Sequence, residues 1–370
     1  MKVLVTGGRG FIGKNLAFTL ENHGMSPLVF DIQDNEDTLL SYLKEADFIV
    51  HLAGVNRPLK EEEFLDGNVN FTAHLLEDIV KVGSKAPILY ASSTQAELDN
   101  PYGKSKKMAE GLLFRFQKER GNPVYVYRFY NVYGKWCRPN YNSVIATFCH
   151  NVAHDIPLQV NPNAGEIDFV HIDDVCDSIL KTIEAKGKGS ADILYPEPHD
   201  RVALAKVVEL LESFKAGRKN LLCPLQEGFE KKLYATYLTY LEPEDFSYPL
   251  DPHEDNRGSF TEILKTLSYG QMSVNVAHPG ITKGNHYHRL KTEKYIVVSG
   301  ECIIRQRKID SDEVFETRCS GKDLRVVDII PGYTHSIETV GDEDSVTLMW
   351  ASELFDPENP DTYMMPVLKQ

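Results

Sequence analysis

The sequence predicts two regions of different class: a parallel α/β sheet wrapped by helices, then a small all-β sandwich or barrel. Short apolar runs alternate with helical patterns through the first half, the signature of a sheet covered on both faces. A glycine-rich turn, "VTGGRGFIG", links the first of those runs to the first helix. Beyond about residue 250, helical spacing gives way to closely spaced β-type runs with turn residues between them. At 370 residues the chain is also long for one core.

In chain order, strands are expected at "KVLV" (2–5), "PLVF" (27–30), "FIVHLA" (48–53), "PILYA" (87–91) and "VYVYRF" (124–129). Helices are expected over "NFTAHLLEDIVKVG" (70–83), "SKKMAEGLLFRFQKERG" (105–121), "VALAKVVELLESF" (202–214) and "EKKLYATYLTYL" (230–241). "LEPEDFSYPLDPHEDNRGSF" then loses the helical period and marks a boundary near 243–248, giving regions 1–243 and 244–370. The second region offers "SVNVA", "KYIVVSG", "CIIRQRK", "VFETRC", "LRVVDII" and "SVTLMWA" as strands.

The formal charge of −14 argues against a nucleic-acid or anionic-membrane partner, so an anionic substrate must be caught by local donors. No uninterrupted apolar stretch approaches the roughly 20 residues that cross a bilayer, and the N-terminus enters a strand with no signal-like run. The six cysteines are dispersed without a C-x-x-C pair, the pattern of reduced thiols, so a cytoplasmic protein is expected.

Gly7, Gly10 and Gly13 follow a strand and open a helix. Glycines there let the backbone turn sharply and approach a pyrophosphate lying on the helix N-terminus. The Gly-x-x-Gly-x-x-Gly spacing resembles the short-chain dehydrogenase/reductase superfamily, with Phe11 and Ile12 inside the motif. Asp31 closes the second strand, where an acid bonds an adenosine ribose and favours NAD(H). The superfamily's chemistry needs a tyrosine, a lysine four residues on, and an upstream hydroxyl. "NPYGKSK" supplies Tyr102 and Lys106 on one helical face, and "YASST" supplies Ser93. A free phenol has a pKa of about 10. A neighbouring ammonium is expected to favour the phenolate, with serine holding the substrate oxygen. As hydride arrives from a nicotinamide, Tyr102 is expected to protonate the new alkoxide.

Further stretches resemble the extended branch of that superfamily, whose members act on nucleotide sugars. "HLAG" (51–54) resembles the cofactor-lining motif, with Leu52 and Ala53, and "RFYNVYG" (128–134) the segment carrying Asn131. "IDFVHIDDV" resembles a late strand and loop, which makes His171 and Asp173 structural although both are possible metal ligands.

In the second region, Gly280, His286, His288, Glu293 and Gly300 match the first cupin motif at every fixed position, and "PGYTH" adds His335. Strand alternation puts His286 and His288 on one face, inside the barrel. Three imidazoles and a carboxylate suit Zn²⁺, with Fe, Mn and Ni also compatible. The alternative is a metal-free cupin in which a histidine is the base. Glu338, in "HSIE", is a further ligand candidate, and Lys283 and Tyr333 flank the ligands as candidate bases. "DNRGSFTEI" (255–263) resembles the leading strand of cupin-type epimerases of 4-keto deoxysugar nucleotides, where Arg257 suits a diphosphate.

A 4-keto group would connect both regions, because it acidifies the C3 proton and is itself a hydride acceptor. Over nearly its whole length the chain resembles bacterial capsular polysaccharide synthesis enzymes that fuse an extended short-chain dehydrogenase/reductase to a cupin. "ADFIVHLAGVNRP", "GKWCRPNYNSVIATFC" and "FDPENPDTY" carry that resemblance. It implies a Rossmann-type first domain, a zinc cupin that epimerises C3 of a UDP-4-keto-6-deoxy-HexNAc, and NADPH-dependent reduction at C4. The product implied is UDP-2-acetamido-2,6-dideoxy-β-L-talose, a precursor of UDP-N-acetyl-L-fucosamine, and the enzyme implied is a homodimer. Asn142 and Ser143, in "YNSVIATF", would contact the nucleotide by their position in the extended branch. The rival readings are a reductase whose cupin only dimerises or binds sugar, and a nucleotide-sugar-sensing protein with a dead reductase.

Overall fold

The first five strands are apolar on successive residues, as a sheet covered on both faces requires. A computed structural model describes residues 1–160, 165–185, 189, 192–224 and 227–369. It places β1 (Lys2–Thr6), β2 (Ser26–Phe30), β3 (Phe48–His51), β4 (Ile88–Ser93) and β5 (Val124–Phe129) in one parallel sheet, with order β2-β1-β3-β4-β5 and β8 (Ile193–Leu194) at the edge. β6 (Asn131–Tyr133), β7 (Glu166–His171) and β9 (Asp200–Ala203) form a small separate sheet. The helices are α1 (Phe11–Asn22), α2 (Glu36–Glu45), α3 (Glu62–Phe64), α4 (Phe71–Val82), α5 (Pro101–Arg120), α6 (Val144–Ala153), α7 (Ile172–Ala185), α8 (Leu204–Asn220) and α9 (Gly228–Leu238).

Alternation along each strand divides the core. Val3, Val5, Val50 and Leu89 meet Leu16 and Leu20 of α1 and Val175 and Ile179 of α7. Leu4, Ile49, Ile88 and Val126 meet Leu43 of α2, Leu75 and Ile79 of α4, and Leu113 of α5. The sheet is thus a Rossmann-like layer. Growth of the sheet reverses at β1, which opens a crevice at the carboxyl ends of β1 and β3.

Two boundaries differ from the expected ones. The 48–53 run ends as a strand at His51, because Leu52 and Ala53 turn across the glycine loop, with Leu52 N bonded to Thr6 O at 3.1 Å. The 105–121 helix begins earlier, at Pro101, where the Asn100 side chain accepts from Gly103 N at 2.7 Å and caps it. Tyr102 therefore sits in the first turn of α5.

The second region is antiparallel throughout its named sheets. β10 (His253–Asp255), β11 (Gly258–Thr266), β12 (Gly270–Ala277), β19 (Ser345–Ala351), β14 (Glu293–Ser299) and β17 (Val327–Ile329) lie side by side in that order. The second sheet runs β16 (Val314–Ser320), β15 (Glu301–Lys308), β18 (Tyr333–Val340), β13 (Thr282–Tyr287) and β20 (Tyr363–Met364). Tyr295, Val297, Ile304, Ile329 and Ile337 fill the space between them, a cupin-like double sheet. The "LRVVDII" run gives only the three-residue β17, and its Leu324 and Val326 are exposed.

The chain divides into Met1–Glu212 with Glu227–Leu241, and Ser213–Gln226 with Glu242–Gln370. A single cut near residue 243 separates these units apart from the segment 213–226. That segment joins the second unit through Lys265, which exchanges backbone bonds with Leu221 and Cys223 at 2.8 and 2.7 Å. All six cysteines are free thiols. Among the described residues no helix is long and apolar enough to cross a membrane.

Candidate functional site

β1 delivers the chain to Gly7 at a φ of +67°, a left-handed turn that glycine takes without strain. A Cβ there would stand 2.8 Å from Ala53 N, and one at Gly13 would stand 2.4 Å from Gly7 O. Turn, helix and third strand therefore meet backbone to backbone. α1 follows Gly10 with no side-chain cap and no acid in its first turn, which leaves its positive end for an anion. Phe11, Ile12 and Leu52 pack on the core beneath. Asp31 accepts from Arg9 N and from Ile32 N, each at 2.8 Å, while the Arg9 guanidinium forks onto Asp34 at 2.6 and 3.0 Å. Arg9 stands at an unspecified position of the glycine pattern, so spacing does not flag it. Its place inside that pattern is the signal that could.

Ser93 ends β4, and its Oγ accepts from Gln95 N at 3.2 Å; the Tyr102 phenol lies near enough for this hydroxyl to lower its pKa. Lys106 is buried, with its Nζ donating to Ala91 O at 2.9 Å and lying 6.0 Å from the Tyr102 ring centroid. Burial raises the Tyr102 pKa, opposed by the Ser93 hydroxyl. Burial also pushes Lys106 down to about 8, against the pull of Glu110. Lys106 gives one of its donors to the Ala91 carbonyl, and burial favours the protonated phenol, in keeping with the acid role expected of Tyr102. A protonated phenol is the form a ketone reduction consumes. His51 is a strut, bonded to Thr6 at 2.7 Å and Thr72 at 3.0 Å and pushed to about 3 by burial and by Lys106.

One turn beyond Lys106, Glu110 accepts from Arg128 at 2.9 and 2.8 Å and from Ser92 at 2.5 Å. The carboxylate and guanidinium side chains are only 5% and 9% exposed. Removing Glu110 leaves the buried guanidinium with one carboxylate, the exposed Glu97 at 2.7 Å. Glu110→Ala should therefore cost no more than about 3–5 kcal/mol of stability, the loss for a fully stranded charge, read as a lower urea midpoint. A midpoint within error of the parent would show that the pair is not holding α5 to the sheet.

The other candidates of the first unit make local contacts. Asn131 Nδ2 donates to Asp168 O at 3.1 Å. Ser143 Oγ caps α6 by accepting from Ala146 N at 3.4 Å, and Asn142 is exposed just before it. His171 accepts from Asp173 N at 3.3 Å while Asp173 pairs with Lys135 at 2.5 Å, a structural arrangement.

Among the described residues, the group that could hold a metal is His286, His288, Glu293 and His335, whose donor atoms all lie within 4.8 Å of one another. Glu293 Oε2 stands 3.3 Å from His288 Nε2 and 3.6 Å from His335 Nε2. Bonds of about 2.0–2.1 Å in a tetrahedron put donors about 3.4 Å apart, so the spacing fits. His288 Nδ1 donates to Asp361 O at 2.7 Å, which fixes the tautomer and leaves Nε2 buried without a partner. Both ring nitrogens of His335 are likewise buried and unpartnered. Burial, then His286, pushes His335 down to about 3. Burial works to raise Glu293, but hydrogen bonding and charge from His288 win and hold it at about 2. Burial lowers His286 as well, so His286 and His335 are neutral beside an ionised Glu293, protonation states a divalent cation requires.

Lys283 reaches this face through a bulge. β13 pairs Gly284 with Ser336 but His286 with His335, so Asn285 is extra, and Gly284 and Asn285 have φ of +99° and +61°. The inserted residue flips the alternation and puts Lys283 on the side of His286 and His288. Its Nζ donates to Asn275 Oδ1 at 2.7 Å, and burial lowers its pKa. Asn275 Nδ2 and Thr347 Oγ1, directly opposite across β12 and β19, are buried without partners. Tyr333 opens β18, two residues before His335. Glu338 pairs with Arg305 and is spent there. Arg257 sits in the turn between β10 and β11 rather than within a strand, its guanidinium on Asp255 at 2.6 Å.

Residues 3–194 match the NAD dependent epimerase/dehydratase family, and residues 253–363 the polysaccharide biosynthesis C-terminal domain. The chain is 44% identical over 369 residues to UDP-2-acetamido-2,6-beta-L-arabino-hexul-4-ose reductase of Pseudomonas aeruginosa, covering 99% of each. It is 26% identical over 278 residues to dTDP-4-dehydro-6-deoxyglucose reductase of Escherichia coli, covering 63% of this chain and 85% of that one. Its fold matches the crystal structure of the capsular polysaccharide assembling protein CapF from Staphylococcus aureus with a TM-score of 0.91, at 47% identity over 99% of this chain and all of that one.

Proposed function

The chain belongs to the NAD dependent epimerase/dehydratase family, and on that premise we propose that it works on one sugar ketone twice. It is a nucleotide-sugar enzyme of polysaccharide biosynthesis, similar end to end to a reductase of a UDP-linked 4-ketose. The substrate is a UDP-4-keto-6-deoxy-HexNAc. The barrel inverts C3, the sheet unit reduces C4, and the product is UDP-2-acetamido-2,6-dideoxy-β-L-talose, on the route to UDP-N-acetyl-L-fucosamine. The observation that carries this is one chain holding Ser93, Tyr102 and Lys106 beside a glycine cradle and a set of four candidate metal ligands in a barrel.

In the barrel, His286, His288, Glu293 and His335 would hold Zn²⁺, which supplies Lewis-acid polarisation of a carbonyl when bound. Lys283 takes the C3 proton and a group on the opposite face returns one; Tyr333, two residues before His335 on β18, is assigned to that return. In the sheet unit, Gly7, Gly10 and Gly13 bring backbone against the pyrophosphate, and the bound nicotinamide supplies hydride. Ser93 holds the ketone oxygen, Tyr102 gives its proton to the new alkoxide, and Lys106 orients the ribose and restores the phenol's charge balance. Asn131, Asn142, Ser143 and Arg257 are assigned to substrate contacts; Arg257 must leave Asp255 to reach a diphosphate. The working form is assigned as a cytoplasmic homodimer.

NADPH is the assigned reductant on the resemblance, despite Asp31; Arg9, whose guanidinium is held on Asp34, must leave it to meet a 2′-phosphate. Initial rates with the 4-keto substrate and each nicotinamide test this. NADPH should be consumed faster; a clear NADH preference reverses the assignment, and consumption of neither removes the reductase.

A further inference from the structure

The last turn of the chain reaches back to the metal ligands. Asp361 lies at a φ of +38°, in the left-handed region, and aims both its carbonyl and its carboxylate at the loop after β13. Its carbonyl accepts from His288 Nδ1 at 2.7 Å. Its carboxylate accepts from three successive backbone N–H groups, those of Arg289, Leu290 and Lys291, at 3.0, 2.9 and 2.8 Å. Lys291 is buried and returns the contact, donating from Nζ to Pro360 O at 2.8 Å and Thr362 Oγ1 at 3.2 Å.

The residues that follow are sewn to the other ligand strands. Met365 N and Val367 N donate to the backbone and side-chain oxygens of Asn285, the bulge residue before His286, at 2.8 and 3.0 Å. Thr334, next to His335, donates to Met365 O. The buried Arg307 donates to Val367 O and Pro366 O, each at 2.8 Å. Three of the four ligands thus have the tail as a neighbour, although it lies more than seventy residues on from His288.

We propose that the segment 360–367 is an outer shell of the metal centre, with Asp361 as its positioning residue, so that metal binding and closure of this tail are coupled. This rests on the reading of the four ligands as a metal site. An imidazole fixed through its second nitrogen presents the first at one angle, and loss of such support costs about 10–100-fold in metal affinity. Coupling is reciprocal: whatever factor the tail adds to metal affinity, the metal adds to tail closure.

The test is a zinc titration of the full chain, stripped and refilled, against a chromophoric chelator, for the parent, Asp361→Ala and Asp361→Asn. Asp361→Ala should bind zinc about 10–100-fold more weakly. Asp361→Asn, which keeps one accepting oxygen, should fall between, and the visible Co²⁺ spectrum of Asp361→Ala should change as His288 loosens. In parallel, hydrogen exchange of the parent with and without zinc reads the amides of Met365 and Val367, which should slow by a similar factor on loading. That second arm decides the matter if the variant does not fold. A parent that binds no metal defeats the metal reading itself. A parent that binds zinc, with Asp361→Ala within twofold of it and an unaltered Co²⁺ spectrum, or with tail amides indifferent to zinc, overturns the coupling alone.

Discussion

Tyr102→Phe should lower the turnover of ketone reduction by about 10²–10⁴-fold, while nicotinamide binding, followed by fluorescence, stays near the parent value. The size follows from what the hydroxyl does. The new alkoxide needs a proton at the moment hydride arrives, and the group proposed to give it is the Tyr102 phenol. Burial keeps that phenol protonated, so it meets the ketone as an acid. Phenylalanine retains the ring that packs 5.7 Å from Phe64, so α5 should keep its place. The barrel holds none of these residues, so exchange of the C3 proton should persist in this variant. Turnover within a few fold of the parent would remove Tyr102 from the mechanism.

His288→Ala should abolish zinc binding and slow C3 exchange by about a thousandfold, the equivalent of several kcal/mol of lost charge stabilisation. The substitution takes away one donor and the bond from its ring to the Asp361 carbonyl. Lys283→Met separates the proton from the metal: zinc should remain bound, with C3 exchange lost all the same. Its amine contacts Asn275 and not a ligand, which is why the two variants should divide in this way. If His288→Ala gives a product with the same C3 stereochemistry as the parent, the barrel only binds or dimerises.

What the sequence reveals here is what chemistry compels at short range. Gly7, Gly10 and Gly13 announce a cradle because close backbone packing tolerates no Cβ. Tyr102 and Lys106 share a helical face, and His286 and His288 share a strand face, so spacing alone pairs them. Contacts between distant segments leave no such mark. Asp361 meets His288 only after the tail folds back, and Arg9 meets Asp34 only after β2 is laid beside β1. Lys283 is the instructive case. Simple alternation from His286 sends it outward, and only the bulge at Asn285 brings it in. Spacing likewise says nothing of the Ala91 carbonyl to which Lys106 donates. Apolar composition likewise overstates β17, because Leu324 and Val326 face water.

The most direct measurement is to run the parent on UDP-4-keto-6-deoxy-HexNAc with NADPH in heavy water and locate deuterium in the product by NMR. One ketone used twice requires solvent deuterium at C3, inverted configuration there, and cofactor-derived hydrogen at C4. An alcohol that forms with its original C3 hydrogen and unchanged configuration would contradict it.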